Sequence, residues 1–118
     1  MTTPTLVGLT EEDGRVTGVT VERDGTELRL TARRGVILAA GGFESSAEMR
    51  AQYQRQPIGT EWTNGVPANT GDAIRAGEAV GGALEFMDDA WWMPSVAHPA
   101  GPMIPLVSER AIPGQVIV

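Results

Sequence analysis

Few side chains in this sequence are placed to carry out catalysis. His98 is the only histidine, and no carboxylate stands at a regular spacing from it, so a surface or hydrogen-bonded histidine is favoured over a base or ligand. The adjacent acids Asp88 and Asp89 are typical of a solvated turn rather than a metal site. Neither a nucleophile elbow nor a Gly-x-x-x-x-Gly-Lys loop occurs. We therefore expect no metal site and no catalytic side chain in this chain.

The stronger chemical signal is a glycine pair that follows an apolar run, "GVILAAGG". Residues 35–40, called the apolar segment below, are non-polar at every position, which predicts a central strand covered on both faces. Nucleotides bind at the carboxyl end of such strands, and Gly41 and Gly42 would let a ligand approach the main chain. By itself the motif is better explained by a simple strand-to-helix turn. If that turn needs a positive φ angle at Gly41, Gly41→Val would destabilise the whole domain.

The residues before the apolar segment predict a three-stranded antiparallel meander. Apolar and polar residues alternate in "TLVGLT", "RVTGVTVE" and "TELRLTA", the period of a half-buried strand. Asp13-Gly14 and Asp24-Gly25 separate the three segments, and this dipeptide suits a tight hairpin turn.

Two helices are predicted after the glycine pair. Ser45 stands three residues before Glu48, which is the capping-box spacing, so a helix is expected over about 46–55. A second helix is expected over about 71–80, with Thr70 or Asp72 as its cap. In the first helix Met49 and Tyr53 share one face, which favours packing rather than chemistry for the only tyrosine.

Composition excludes several classes of partner. The 118 residues include 15 acids and 9 bases, for a formal net charge of -6, and no basic stripe could neutralise a nucleic acid. The absence of cysteine excludes disulfides and thiolate metal sites. No apolar run approaches the roughly 20 residues of a membrane helix. We expect a cytoplasmic protein that binds no nucleic acid and spans no membrane.

An ordered set of motifs resembles one flavoprotein family. "GVILAAGGFE", "NTGD", "AWWMPS" and "ERAIPGQVIV" follow one another as in the fumarate reductase/succinate dehydrogenase flavoproteins, over residues 16 to 118. The pattern is most similar to the 3-ketosteroid Δ1-dehydrogenase-like branch of that family. The resemblance implies FAD as cofactor. The residues that it places at the cofactor are Ala39, Ala40, Gly41, Gly42, Thr70, Gly71 and Asp72.

The resemblance also bears on the substrate. Dicarboxylate-using members of the family carry a histidine directly before the proline that matches Pro94, and this chain has Met93 there. That difference argues against a succinate-type site. Trp91, Trp92 and Met93 are expected to line an apolar substrate or flavin wall, while a simple core role for the two tryptophans stays open.

The family pattern is incomplete in this sequence. The Gly-x-Gly-x-x-Gly fingerprint and its ribose-binding acid do not occur, so we expect an interior part of a longer flavoprotein, inactive alone. The predicted fold is α/β, a partial FAD-binding domain with a meander, a central buried strand and two helices. Residues 1–86 would belong to that domain, and residues 87–118 would begin a substrate-capping domain.

The function that the resemblance implies is an FAD-dependent oxidoreductase acting on a C–C bond next to a carbonyl, in a small apolar, ketosteroid-like substrate. The hydride would pass between substrate and flavin, and no residue here matches the family's catalytic acid or base. Two alternatives stay open: a non-catalytic truncated module or interaction domain, and a fumarate reductase-like enzyme acting on a dicarboxylate.

Overall fold

An antiparallel β-meander forms the first quarter of the protein, in a computed structural model that describes residues 4–96, 98–99 and 104–106. The strands pair in the order β1-β2-β3. Their bounds are Thr5–Glu12 for β1, Arg15–Arg23 for β2 and Thr26–Thr31 for β3. The predicted meander is confirmed.

Two Asp-Gly turns set the register of the meander. Asp13 and Gly14 have φ angles of 51° and 76°, and Asp24 and Gly25 have φ angles of 52° and 75°. Two successive positive φ angles match the twist of a two-residue hairpin, and aspartate and glycine tolerate them better than other residues. The short-range turn chemistry therefore suffices to align each strand with the next.

The outer strand of the meander is more exposed than its pattern predicts. Leu28 and Leu30 lie opposite Val21 and Val19, yet their side chains are 44% and 55% exposed. The predicted half-buried face of β3 is thus wrong for this chain, because no described element packs on it.

Both predicted helices are present, with different caps. Helix α1 spans Ala47–Tyr53, and Ser46 rather than Ser45 is its N-cap, with its hydroxyl accepting from the backbone amide of Met49. Helix α2 spans Asp72–Ala79, and its N-cap is Gly71, whose φ of 86° is left-handed. Neither Thr70 nor Asp72 caps α2, because a left-handed glycine without a side chain occupies the capping position.

The buried core is small and lies between the helices and the first strand. Among the described residues, the buried hydrophobic side chains are Met49, Ala73 and Ala76, and no large side chain is fully buried. Helix α2 packs against β1. If Gly77 of α2 were replaced by a residue with a β-carbon, that carbon would lie 3.4 Å from the side chain of Leu38. The described part of the chain therefore has only a small fully buried core.

The apolar segment differs most from its prediction. Residues 35–40 form no strand, and Ile37 is 93% exposed. The predicted central buried strand is not formed within this chain because no described strand pairs with it and no described layer covers Ile37.

The last described elements form a short ribbon. Strand β4, Ser95–Val96, pairs antiparallel with β5, Ile104–Pro105. The motif at 109–118 lies outside the described residues. No helix in the described part of the chain is long and apolar enough to cross a membrane. The predicted domain boundary between residues 86 and 87 stays a prediction.

Candidate functional site

The two segments predicted to hold the cofactor meet in the structure. The backbone amide of Gly71 donates to the carbonyl of Gly42 at 3.0 Å, and the amide of Ser45 donates to the carbonyl of Asn69 at 3.0 Å. These bonds join the turn after the apolar segment to the loop before α2. The chain thus brings Gly41 and Gly42 beside Asn69 and Gly71, which are far from them in sequence, and these pairs join the two predicted segments 39–42 and 70–72.

Gly41 is required for a reason that the structure specifies. Its φ of 79° is left-handed, and a β-carbon there would overlap the amide oxygen of Asn69. A valine at this position would therefore clash within the chain and strain the backbone. The turn-conformation explanation of Gly41 is favoured over one based only on ligand approach.

The side chain of Asp72 is engaged within its own helix. Its Oδ1 atom accepts from the hydroxyl of Thr70 at 3.1 Å and from the Nη2 of Arg75 at 2.8 Å. Arg75 also approaches the sulfur of Met49 through Nη1 at 3.1 Å. These contacts fix the start of α2 against α1, so Asp72 has a structural role in this chain.

The predicted substrate residues line a cleft of about 490 Å³. Trp91, Trp92 and Met93 lie on one side, and Gly42 is the one predicted cofactor residue that also lines it. The two tryptophans are 87% and 55% exposed, which argues against a core role within this chain. The volume falls in the range of roughly 300–1,000 Å³ that small-molecule sites occupy.

Several cleft residues were not predicted from the sequence. Trp62 adds a third indole to the lining, and Arg50 lines the cleft although it is only 6% exposed. The Nε of Arg50 donates to the side-chain oxygen of Gln54 at 3.0 Å, and its Nη1 donates to the carbonyl of Glu44 at 3.2 Å. Nothing in the spacing of "MRAQYQ" distinguishes this buried arginine from an exposed one.

A second unpredicted feature is the hydrogen bond between Asn69 and Glu44. The Nδ2 of Asn69 donates to the Oε1 of Glu44 at 2.6 Å. The two residues flank the predicted cofactor segments, "GGFE" and "NTGD", so their nearness to those motifs was the available signal.

The residues at the meeting point fit a nucleotide cofactor. Ala39, Ala40 and Gly41 are exposed and carry no side chain beyond a β-carbon. Gly71 caps α2 without a side-chain hydrogen bond, so no side chain occupies the first-turn amides of α2. Small residues beside helix amides that lack a side-chain cap suit a flat or phosphorylated ligand.

Comparison with known proteins identifies relatives of this chain. The 3-oxosteroid 1-dehydrogenase of Mycolicibacterium smegmatis is 53% identical over 118 residues, which cover 96% of this chain and 21% of that enzyme. Fumarate reductase 1 of Saccharomyces cerevisiae is 30% identical over 96 residues, which cover 81% of this chain and 19% of that enzyme. The chain thus spans about a fifth of the length of these relatives.

A solved structure resembles the fold. The crystal structure of 3-ketosteroid delta1-dehydrogenase from Sterolibacterium denitrificans, in complex with 1,4-androstadiene-3,17-dione, matches with a TM-score of 0.78 at 46% identity. The match covers 83% of this chain and 18% of that one. At this identity the likeness extends to sequence as well as fold.

A family model agrees with these relatives. The model described as FAD binding domain matches residues 4–118. The chain therefore belongs to this family of FAD binding domains, and FAD is its cofactor.

Proposed function

We propose that this chain is a segment of an FAD-dependent oxidoreductase that acts on the C–C bond next to the ketone of a steroid. The observation that carries the proposal is the contact between residues 39–42 and 70–72 through the Gly71–Gly42 hydrogen bond of 3.0 Å. It unites the small residues after the apolar segment with the first-turn amides of α2. The flavin supplies the hydride chemistry when it is bound.

The substrate side of the proposal rests on the cleft. Three indoles, of Trp62, Trp91 and Trp92, with Met93 beside them, offer a broad apolar surface in about 490 Å³. Such a surface suits a flat, rigid, mostly apolar ring system better than a small dicarboxylate. The identities of 53% to the steroid enzyme and 30% to the fumarate reductase favour the same choice.

The proposal assigns roles to this chain's own residues. Residues 39–42 and 70–72 would contact the flavin nucleotide, and the tryptophans with Met93 would hold the substrate and exclude water from it. Residues 1–86 would belong to the FAD-binding domain and residues 87–118 to a capping domain. The cleft is lined from both sides of that boundary, which supports a substrate site between the two.

The small core supports a segment of a longer polypeptide over a free-standing interaction module. The described part of the chain buries only three hydrophobic side chains and leaves Ile37 93% exposed. An independently stable module of this size would bury more apolar surface. Reading the coding sequence on both sides for a Gly-x-Gly-x-x-Gly segment separates the two hypotheses, because its absence would favour the module.

The direct test uses the full-length gene product. We expect it to purify with bound flavin and to reduce an artificial electron acceptor when a 3-ketosteroid is added, but not when succinate is added. Residues 1–118 alone are expected to bind FAD weakly or not at all, because a few amides hardly offset the ordering of a long flexible ligand. A flavin-free full-length protein, or succinate-dependent turnover alone, would contradict the proposal.

A further inference from the structure

The side chains of Glu44 and Asn69 meet between the two segments proposed to contact FAD. The Asn69 amide donates to the Glu44 carboxylate at 2.6 Å, and both residues are partly buried. The bond spans 25 positions of sequence and joins the turn after Gly42 to the loop before α2. This pair is called the Glu44–Asn69 clamp below.

The clamp fixes which way the Asn69 amide faces. An ionised carboxylate only accepts hydrogen bonds, so it selects the NH₂ group of the amide and turns the carbonyl oxygen away. That oxygen lies where a β-carbon on Gly41 would be. The left-handed turn at Gly41 is therefore covered by a side chain whose orientation Glu44 sets.

The Glu44 carboxylate fills space that glycines leave. Its Oε2 lies 2.8 Å from the place of a β-carbon on Gly42, and its Oε1 occupies the place of a β-carbon on Gly65. One carboxylate thus touches the turn at Gly42, the loop at Gly65 and the amide of Asn69. A change in this group would be transmitted to all three.

Backbone bonds also join the two segments beside the clamp. Ser45 donates through its amide to the carbonyl of Asn69 at 3.0 Å and through its hydroxyl to the carbonyl of Val66 at 3.1 Å. These bonds hold the loop beside the turn. The side-chain bond between Asn69 and Glu44 is a further link between the same two segments.

We propose that Glu44 and Asn69 are positioning residues, which hold residues 39–42 and 70–72 in the relative geometry that accepts the flavin nucleotide. The inference rests on the proposed FAD-binding role of these segments. The clamp contacts the turn at Gly41 and Gly42, through which it would act on the flavin nucleotide, and Glu44 also lines the proposed substrate cleft.

The test exchanges the two ends of the clamp in the full-length protein. Asn69→Asp places two carboxylates together and removes the donor. The double variant Glu44→Gln with Asn69→Asp restores one amide and one carboxylate in reversed positions. We expect Asn69→Asp to raise the Kd of the apoprotein for FAD by about ten- to a hundredfold, the effect of losing a hydrogen bond to a charged group. The reversed pair should return the Kd to within about threefold of the wild-type value.

Matched controls separate charge from contact. Gln52→Glu adds the same charge on the exposed surface of α1, and Glu78→Gln removes one on the exposed surface of α2. Both should leave the Kd and the visible spectrum of the bound flavin unchanged. If Asn69→Asp fails to fold, Asn69→Ala removes the bond without adding a charge and carries the same expected loss of affinity.

Three readouts decide the outcome: the Kd for FAD, the spectrum of the bound flavin and the thermal midpoint of the apoprotein. A raised Kd that the reversed pair restores supports the clamp. A lowered midpoint with an unchanged Kd would reduce the pair to a structural role, and a raised Kd that the reversed pair leaves in place would exclude the pairing as cause. A wild-type protein without flavin would overturn the proposed function itself, before any variant is compared.

Discussion

Strand β3 and the apolar segment lie only a few residues apart in sequence. Strand β3 is paired with another strand, whereas the apolar segment forms no strand. Strand β3 runs alongside β2 from Gly18↔Thr31 to Arg23↔Thr26, so its backbone is hydrogen-bonded through a turn of two residues. The apolar segment has the more apolar sequence but no strand partner among the described residues. The difference is one of distance, because a hairpin strand finds its partner in adjacent sequence whereas a central parallel strand needs partners from far along a chain.

We expect the largest effect on stability at Ile37 of the apolar segment, which is 93% exposed here. In the full-length protein, where we propose that the apolar segment is a covered central strand, Ile37→Asp would bury an unpaired charge and cost about 3 to 5 kcal/mol. The expected result is insoluble or flavin-free protein. In residues 1–118 alone the same change should alter stability by less than about 0.5 kcal/mol and reduce aggregation.

Light scattering and flavin content, measured for both lengths of protein, check this prediction. Thr26→Asp, at the exposed start of β3, adds the same charge and should be tolerated in both. An equally small effect of Ile37→Asp in both lengths would mean that the apolar segment is not covered in the longer protein.

The second prediction tests the pairing of β3 with β2 at Gly18, the buried glycine of β2. A β-carbon there would overlap the carbonyl oxygen of Leu30 and lie 2.8 Å from the hydroxyl of Thr10. Gly18→Val should therefore separate β2 from β3 and cost about 2 to 3 kcal/mol, as overpacking does. Gly8→Val is the matched control, because nothing lies within 4 Å of a β-carbon at that position.

Denaturant midpoints of the two glycine variants in the full-length protein provide the measurement. Equal midpoints for Gly18→Val and Gly8→Val would show that β3 is held by something other than its pairing with β2.

The third prediction concerns the two-residue turn that joins β3 to β2. Gly25 has a φ of 75° with open space around it, so Gly25→Ala suffers backbone strain without a clash. A left-handed residue with a β-carbon costs about 1 to 2 kcal/mol, and the loss should appear in the denaturant midpoint. Gly25→Asn should lose less, since asparagine tolerates the left-handed region. Equal losses for alanine and asparagine would mean that the strain does not arise from φ.

Sequence reasoning succeeded where the determinants are local. The Asp-Gly turns fixed the meander, because positive φ angles at adjacent residues restrict the choice of residue type. The helix predicted over 71–80 spans 72–79, since the loop signals on both sides were clear. The covered strand at 35–40 failed within this chain because apolar content indicates burial but does not supply the burying element.

The candidate site could likewise be predicted from the sequence only in part. The meeting of residues 39–42 with residues 70–72 was implied by family resemblance, and no spacing rule would have joined them. Glu44 and Asn69 stand in the two quoted motifs, but nothing in the sequence paired their side chains, because they are 25 positions apart and each residue type is common in loops. Long-range side-chain pairs of this kind become visible only when the backbone bonds between the two segments are known.

The smallest expected effect distinguishes two adjacent serines at the start of α1. The hydroxyl of Ser46 accepts from the amide of Met49 at 3.3 Å, whereas the hydroxyl of Ser45 donates to the carbonyl of Val66 at 3.1 Å on the exposed side of the turn. Ser46→Ala should therefore cost about 1 kcal/mol, the usual value for a lost N-cap, and Ser46→Asp should retain the cap. Ser45→Ala removes only an exposed hydrogen bond and should cost about half as much or less. Denaturant midpoints of the three variants, with hydrogen exchange at the Glu48 and Met49 amides, provide the measurement. A larger loss for Ser45→Ala than for Ser46→Ala, together with faster exchange at the Glu48 amide in Ser45→Ala, would restore the capping box that the spacing of Ser45 and Glu48 predicts.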